Sequence, residues 1–240
     1  MSQIRVFVSK GESPIEGFTV GDKPYLFWDT CALLNFMSIN QRSKFGEFEF
    51  YKKIFELIKK RELISVTSSI VYREFNDHIN DLYKEDIKRE DGARNCFVAY
   101  AETLPPDKMN NLKDSLKDTK FSDMRLNMLN DLWASTIVFS ENDKYMKAAH
   151  TRVLNKICPA HTKGEYKDCF IWETYLHFLS HVSNQVQCFF FTVNSEDFGI
   201  IKGSKVPNRI LVEDTQVHKS EIYLTVERAQ VGIFKSLGLI

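Results

Sequence analysis

The run Tyr25-Leu26-Phe27-Trp28 constrains the fold of this chain more than any other feature. It is four residues long, wholly apolar, and stops at Asp29. A segment so short and so apolar reads as a strand buried on both faces, the kind found in parallel sheets covered by helices. Three further short runs read alike: Leu63 to Val66, Gln187 to Val193 (QCFFFTV) and Arg209 to Val212. Helical patterns lie between them. Residues 30–38 follow the first run directly, with Thr30 as a cap. Residues 47–61 place Phe48, Tyr51, Ile54, Phe55 and Ile58 on one face and four lysines elsewhere. Thr67-Ser68-Ser69 offers N-caps for a helix carrying Val71, Phe75, Ile79 and Leu82. Residues 124–156 set Met128, Leu132, Trp133 and Ile137 at helical spacing. Residues 165–182 turn Phe170, Ile171, Tyr175, Phe178 and Leu179 inward, and residues 219–236 form a last helix. Strands alternating with helices predict an α/β fold with a mostly parallel sheet.

Residues 3–8 read as a short strand or a loosely tied arm, and residues 9–24, rich in Gly and Pro, as loop. Residues 83–123 are charge-rich and broken by Pro105-Pro106, which predicts short helices and a connection. The expected organisation is one domain over residues 1–240. Its core is residues 25–82 and 157–212, with a helical insertion over 83–156 and a C-terminal helical segment over 213–240. A length of 240 residues suits that reading. Lys plus Arg is 32 and Asp plus Glu is 32, so no bulk positive charge is available to coat nucleic acid or an anionic membrane. The densest apolar stretch, Val186 to Val193, is interrupted by Gln187 and falls short of the roughly 18–20 residues of a membrane span. The N-terminal residues lack the apolar core of a signal peptide. The five cysteines form no C-x-x-C pair and sit mostly beside apolar residues. Together these features predict a cytoplasmic protein without a membrane partner.

In parallel sheets ligands sit outside the carboxyl ends of the strands. Asp29 closes the first strand, Glu74 lies one to two turns into the helix after the second, and Asp168 lies in the first turn of the helix opened by Gly164-Glu165. Asn194 and Asp197 follow the strand ending at Val193. Each has a plain reading by itself. Asp29 and Asp197 suit turns or caps, Glu74 suits a solvated helix face, and Asp168 suits a helix dipole. Together they place several carboxylates at one edge, where they repel one another unless a hard divalent cation sits among them. One or two such ions could activate water for attack on a phosphodiester.

The same residues resemble a known family. YLFWDTCALLNF is similar to the opening motif of PIN-domain ribonucleases, and SSIVYREF to the second, which supplies a Glu on a helix. GEYKDCFIWETYL resembles the third, and FFFTVNSEDF the fourth. The resemblance covers about residues 25–212, in the family's order. It implies a three-layer α/β/α sandwich and Mg²⁺- or Mn²⁺-dependent RNA cleavage, with DNA as the alternative substrate. Asp29, Glu74 and Asp168 are its implied metal-site acids. Asn194 or Asp197 completes the site, and Thr192 or Ser195 contributes a hydroxyl. Many members are toxins, which implies a toxin or defence effector with an antitoxin or other protein partner, or a homo-oligomer. Two departures stand out: the insertion over 83–156, and Asn194 where many members carry Asp. The second keeps an alternative in view, a PIN-like scaffold that binds RNA or protein without cutting.

Other features are weaker. Thr30, Arg73, Lys163 and Lys167 lie beside the motifs and, with Thr192 and Ser195, are the candidates for substrate contact. The remaining Lys/Arg clusters are interleaved with acids and read as solvated helix faces. His177 and His181 have zinc-ligand spacing but no third ligand in sequence. Tyr166 and Trp172 read as core before they read as base-stacking residues. Cys31 adjoins Asp29, yet no His is placed to activate it. An Asp-x-Asp phosphatase would need a second Asp at position 31, where this chain has Cys31.

Overall fold

All four residues of the YLFW run are buried, and they form β1 (Tyr25–Trp28), the central strand of the sheet. The computed structural model describes residues 22–38, 45–103 and 120–240. After β1 the order is α1 (Thr30–Met37), α2 (Phe45–Lys59), β2 (Ile64–Ser68), α3 (Ser69–Ala101), α4 (Phe121–Ala134) and β3 (Thr136–Phe139). Then come α5 (Asp143–Leu154), α6 (Tyr166–His181), β4 (Cys188–Phe191), α7 (Ser195–Phe198), α8 (Arg209–Thr215), β5 (Ser220–Tyr223) and α9 (Val226–Ser236). The five strands lie in the order β3-β2-β1-β4-β5, and every pairing is parallel. Tyr25 pairs with Ile64 on one side and with Cys188 on the other.

Successive strand side chains point to opposite faces, and both faces are covered. Trp28 and Phe191 pack against Tyr51 of α2, and Phe50 meets Phe191 edge-on. Phe27 and Phe190 face the other way, onto Tyr175 of α6, with Trp172 edge-on to Phe190. The result is a three-layer α/β/α sandwich. A buried polar chain fastens the sheet from inside. The Trp28 indole donates to Ser65 Oγ at 2.9 Å, Ser65 and Thr136 hydroxyls meet at 2.7 Å, and Thr136 donates to Leu132 O at 2.8 Å. Buried polar groups paired in this way avoid the desolvation penalty of unpaired ones.

Several local expectations are corrected. Arg209 to Val212 is not a strand but the start of α8, capped by Asn208, whose side chain accepts from Ile210 N. Leu211 is buried while Ile210 and Val212 are exposed, so the run buries one helical stripe only. The fifth strand is instead Ser220–Tyr223, inside the stretch expected to be helix, and α9 begins only at Val226. The stretch 83–156 is not wholly helical. It holds β3, which pairs with β2 in the sheet. Short helices were expected from residue 83 onward, but α3 continues unbroken to Ala101. Pro105 and Pro106, like the strand or arm expected at 3–8 and most of the loop at 9–24, lie outside the described residues. Asp29, not Thr30, caps α1: its carboxylate accepts from Thr30 N.

Candidate active site

Because every strand is parallel, all five carboxyl ends open on one edge of the sheet. Asp29 leaves β1 there. Its main-chain N donates to Phe191 O at 3.0 Å, extending the ladder one residue beyond the strand. Its carboxylate, 1% exposed, accepts from Thr30 N at 2.7 Å and from the Thr192 hydroxyl at 2.5 Å. Adjacent strand ends thus clamp one acid. Ser68 caps α3 through Val71 N and so starts the helix that brings Glu74 inward. The Thr30 hydroxyl donates to Glu74 at 2.7 Å, and Lys167 Nζ lies 3.3 Å from its other oxygen. Asp168 sits in the first turn of α6, the favourable end of the helix dipole. Asn194 leaves β4, and its side-chain nitrogen reaches Asp197 at 3.0 Å and Asp168 at 3.4 Å.

The electrostatics follow from this crowding. Burial pushes the carboxyl of Asp29 up to about 6, against the lowering bond from Thr192 and with the nearby charge of Glu74. Burial, then the charges of Asp29, Asp197 and Glu74, push Asp168 up to about 9. Cys31 registers all four acids. Its thiol is driven far above the ordinary range by burial and by Asp29, Asp168, Glu74 and Asp197. It is therefore held protonated, which removes it as a thiolate nucleophile.

The structure brings Asp29, Glu74, Asp168, Asn194 and Asp197 together with Thr30, Thr192 and Lys167. Three candidates turn elsewhere. Arg73 pairs with Glu141, beyond the end of β3. The Ser195 hydroxyl accepts from Gly203 N at 3.1 Å. Lys163 pairs with Glu196 at 3.1 Å, as does Lys202 at 3.3 Å. Two supporting residues escaped the sequence reading. Thr162 donates to Asp197 at 2.6 Å, and the Cys158 thiol lies 3.3 Å from the Asp197 carbonyl. Arg152 steadies that segment: it donates to Cys158 O at 2.7 Å and pairs with Glu173 and Asp214. Nothing in the local pattern around Thr162 or Cys158 marks them. His177 and His181 meet edge to face, with ring centroids 4.5 Å apart. Trp172 is core, its indole bound to Asp214.

Among the described residues, no group of three or more His, Cys, Asp or Glu is placed so that it could hold a metal ion. The donor set nonetheless fits a hard cation in kind. It is all oxygen, it holds two acids above their ordinary range through burial and then through their mutual repulsion, and Mg²⁺ needs only one or two direct carboxylates because it keeps several waters. No helix among the described residues is long and apolar enough to cross a membrane.

The model of the PIN domain family matches residues 26–198. That span runs from β1 through α7 and contains Asp29, Glu74, Asp168, Asn194 and Asp197. Comparison with curated proteins and with solved structures gave no match.

Proposed function

The chain belongs to the PIN-domain family, whose members are in general nucleases, and from that premise we propose that it is a divalent-metal-dependent nuclease with RNA as the favoured polymer. One observation carries this reading. Four acids from four separate segments converge around Cys31 at the carboxyl edge of the sheet, and two of them sit well above the ordinary carboxylate range. Structural ion pairs would place cations there. Here, among the described residues, Lys167 is the one ammonium paired with any of the four.

In this proposal Asp29, Asp168 and Asp197 hold Mg²⁺ or Mn²⁺, with Glu74 as a further ligand or as the group that orients water. A bound ion would supply an activated water and neutralise charge on the leaving oxygen. The chain's own residues set the geometry. Thr192 fixes the rotamer of Asp29, Thr30 fixes Glu74, and Thr162 fixes Asp197. Asn194 donates to both Asp168 and Asp197 and so ties the two carboxylates together. Lys167 is exposed and near the acids, so its ammonium can move from Glu74 to a backbone phosphate. Labelled single-stranded RNA and DNA, incubated with EDTA, Mg²⁺ or Mn²⁺, test the proposal. Cleavage should need the metal and fall at least about a hundredfold in Asp29→Asn and in Asp168→Asn, more than the loss typical of outer-shell changes. Wild-type rates in Asp29→Asn would sink the assignment.

A second reading, a scaffold that binds RNA or protein without cutting, draws on Asn194. Its amide already bridges two carboxylates, the place a cation would take. Absence of both cleavage and Mn²⁺ binding by calorimetry would favour that reading.

A further inference from the structure

Two pieces of the chain meet twice beside the acid cluster. At the buried end the Thr162 hydroxyl donates to Asp197 at 2.6 Å. Their sequence neighbours meet again nearer the surface, where Lys163 Nζ lies 3.1 Å from Glu196 Oε1. A second ammonium closes on the other oxygen, with Lys202 Nζ 3.3 Å from Glu196 Oε2. Lys202 stands on an arm, residues 199–208, that doubles back on itself. Gly199 and Pro207 form an antiparallel bridge, and Ile200 N donates to Val206 O at 3.1 Å. Gly203 sits at the turn with φ +78°, a conformation that side-chain-bearing residues avoid. Its N–H donates to the Ser195 hydroxyl at 3.1 Å. The backbone is therefore tied to the acid-bearing turn one residue away from Lys202.

A stabilising role explains this cluster poorly. The side chains of Lys163 and Lys202 are 56% and 79% exposed, and exposed ion pairs add little net stability. Exchanging Glu196 for another anion therefore costs little. The arrangement itself indicates which anion. A carboxylate with one ammonium on each oxygen presents the same two contacts as a phosphodiester does through its two non-bridging oxygens. Two positive charges against one negative also leave an excess of positive charge beside the acids, which a polyanion must approach. The two ammoniums hold Glu196 below its ordinary range. Lys163 is raised chiefly by Glu196 and further by Asp197, so the pair lies within electrostatic reach of the acid cluster.

We propose that Lys163 and Lys202 together bind one backbone phosphate of the substrate strand, next to the acid cluster, and that Glu196 occupies this place in the free protein as a built-in competitor. The proposal rests on the nuclease reading and deepens it. It adds a second phosphate contact to the one given to Lys167, which pairs with a different acid, Glu74. The contact carries no base information and fixes only the position of the strand. Glu196 weakens binding of every strand, because its carboxylate must yield both ammoniums before the phosphate can take them.

The test is fluorescence anisotropy of a labelled U12 ribonucleotide in EDTA, where no metal-dependent hydrolysis intervenes, repeated over a salt series on variants that melt like wild type. Lys163→Ala combined with Lys202→Ala should weaken binding and flatten the plot of log affinity against log salt by about 0.7, the share of one single-strand phosphate. Lys84→Ala removes an exposed charge roughly 15 Å further along α3 than Glu74 and should leave the slope unchanged. Glu196→Gln should bind U12 at least about twofold tighter than wild type. That gain should vanish when both lysines are already replaced, since nothing is left to release. An unchanged slope in the double lysine variant would overturn the proposal, as would an equal fall in Lys84→Ala. A Glu196→Gln gain of the same size without the lysines would reduce Glu196 to general repulsion and overturn its role as competitor. Metal-dependent cleavage with an unchanged slope would remove the phosphate contact and leave the nuclease standing. The expected slope change in a protein that cuts nothing would keep the contact and remove the nuclease.

Discussion

Burial and the charges around it push the carboxyl of Asp168 up to about 9, and burial foremost pushes Asp29 to about 6. In the unfolded chain both would titrate near 3.9. Between pH 4 and those higher values the folded chain keeps protons that the unfolded chain has lost. Stability therefore falls as pH rises through that window. In EDTA, wild type should melt at a lower temperature at pH 8 than at pH 5. Asp168→Asn should gain about 1 kcal/mol at pH 8, roughly 2–4 °C for a domain of this size, and little at pH 5. A lower melting temperature for Asp168→Asn at pH 8 would contradict the assigned cause. The acids were legible in the sequence because topology alone places them: a residue just past a parallel strand, or early in the following helix, must reach the same edge. Sequence adjacency was a poorer guide. Arg73 is next to Glu74, yet neighbours on a helix do not share a face, and Arg73 points to Glu141. Thr162 and Cys158 were illegible because they reach Asp197 through tertiary contact across a loop.

At the scale of elements, α3 and α4 are locked by a buried charge cluster well away from the acids. Asp86 and Arg125 pair with almost no exposure, and the Ser122 hydroxyl lies within hydrogen-bond distance of both Asp86 and Glu90. Glu90 also accepts from Phe121 N and Ser122 N, so a side chain of α3 caps the start of α4. Removing one partner of a buried ion pair costs about 3–5 kcal/mol, whereas replacing both by apolar residues is often neutral. Asp86→Ala should accordingly lose about that much in urea unfolding, and Asp86→Leu combined with Arg125→Met should recover most of it. Equal loss in the single and double variants would refute the pairing as the cause. The same element explains one misreading. Charge-rich residues 83–101 suggest broken helices, but Asp86 and Glu90 find partners in Arg125 and Ser122 of α4, so the helix runs on. β3 escaped notice because Ile137 continues the helical spacing of Trp133. β5 escaped because only Tyr223 of its four residues is buried.

For the whole molecule, balanced charge conceals a local imbalance. Lys plus Arg equals Asp plus Glu over the chain, yet four acids gather around Cys31 at the carboxyl edge, and among the described residues only Lys167 forms an ion pair with one of them. The acids that carry this repulsion stand just past β1 and β4, in the second turn of α3 and in the first turn of α6. A cation bound there would relieve strain spread over segments distant in sequence, and its binding energy would appear as stability of the entire fold. A ligand at a hundred times its dissociation constant adds about 2.7 kcal/mol, which for a domain of this size is roughly 5–11 °C in melting temperature. Scanning calorimetry with saturating Mn²⁺ against EDTA should show a rise of that order for wild type and most of it lost in Asp29→Asn. Because the relief is greatest where the acids are most fully charged, the rise should be larger at pH 8 than at pH 5. An equal rise in wild type and Asp29→Asn would locate the ion away from this edge.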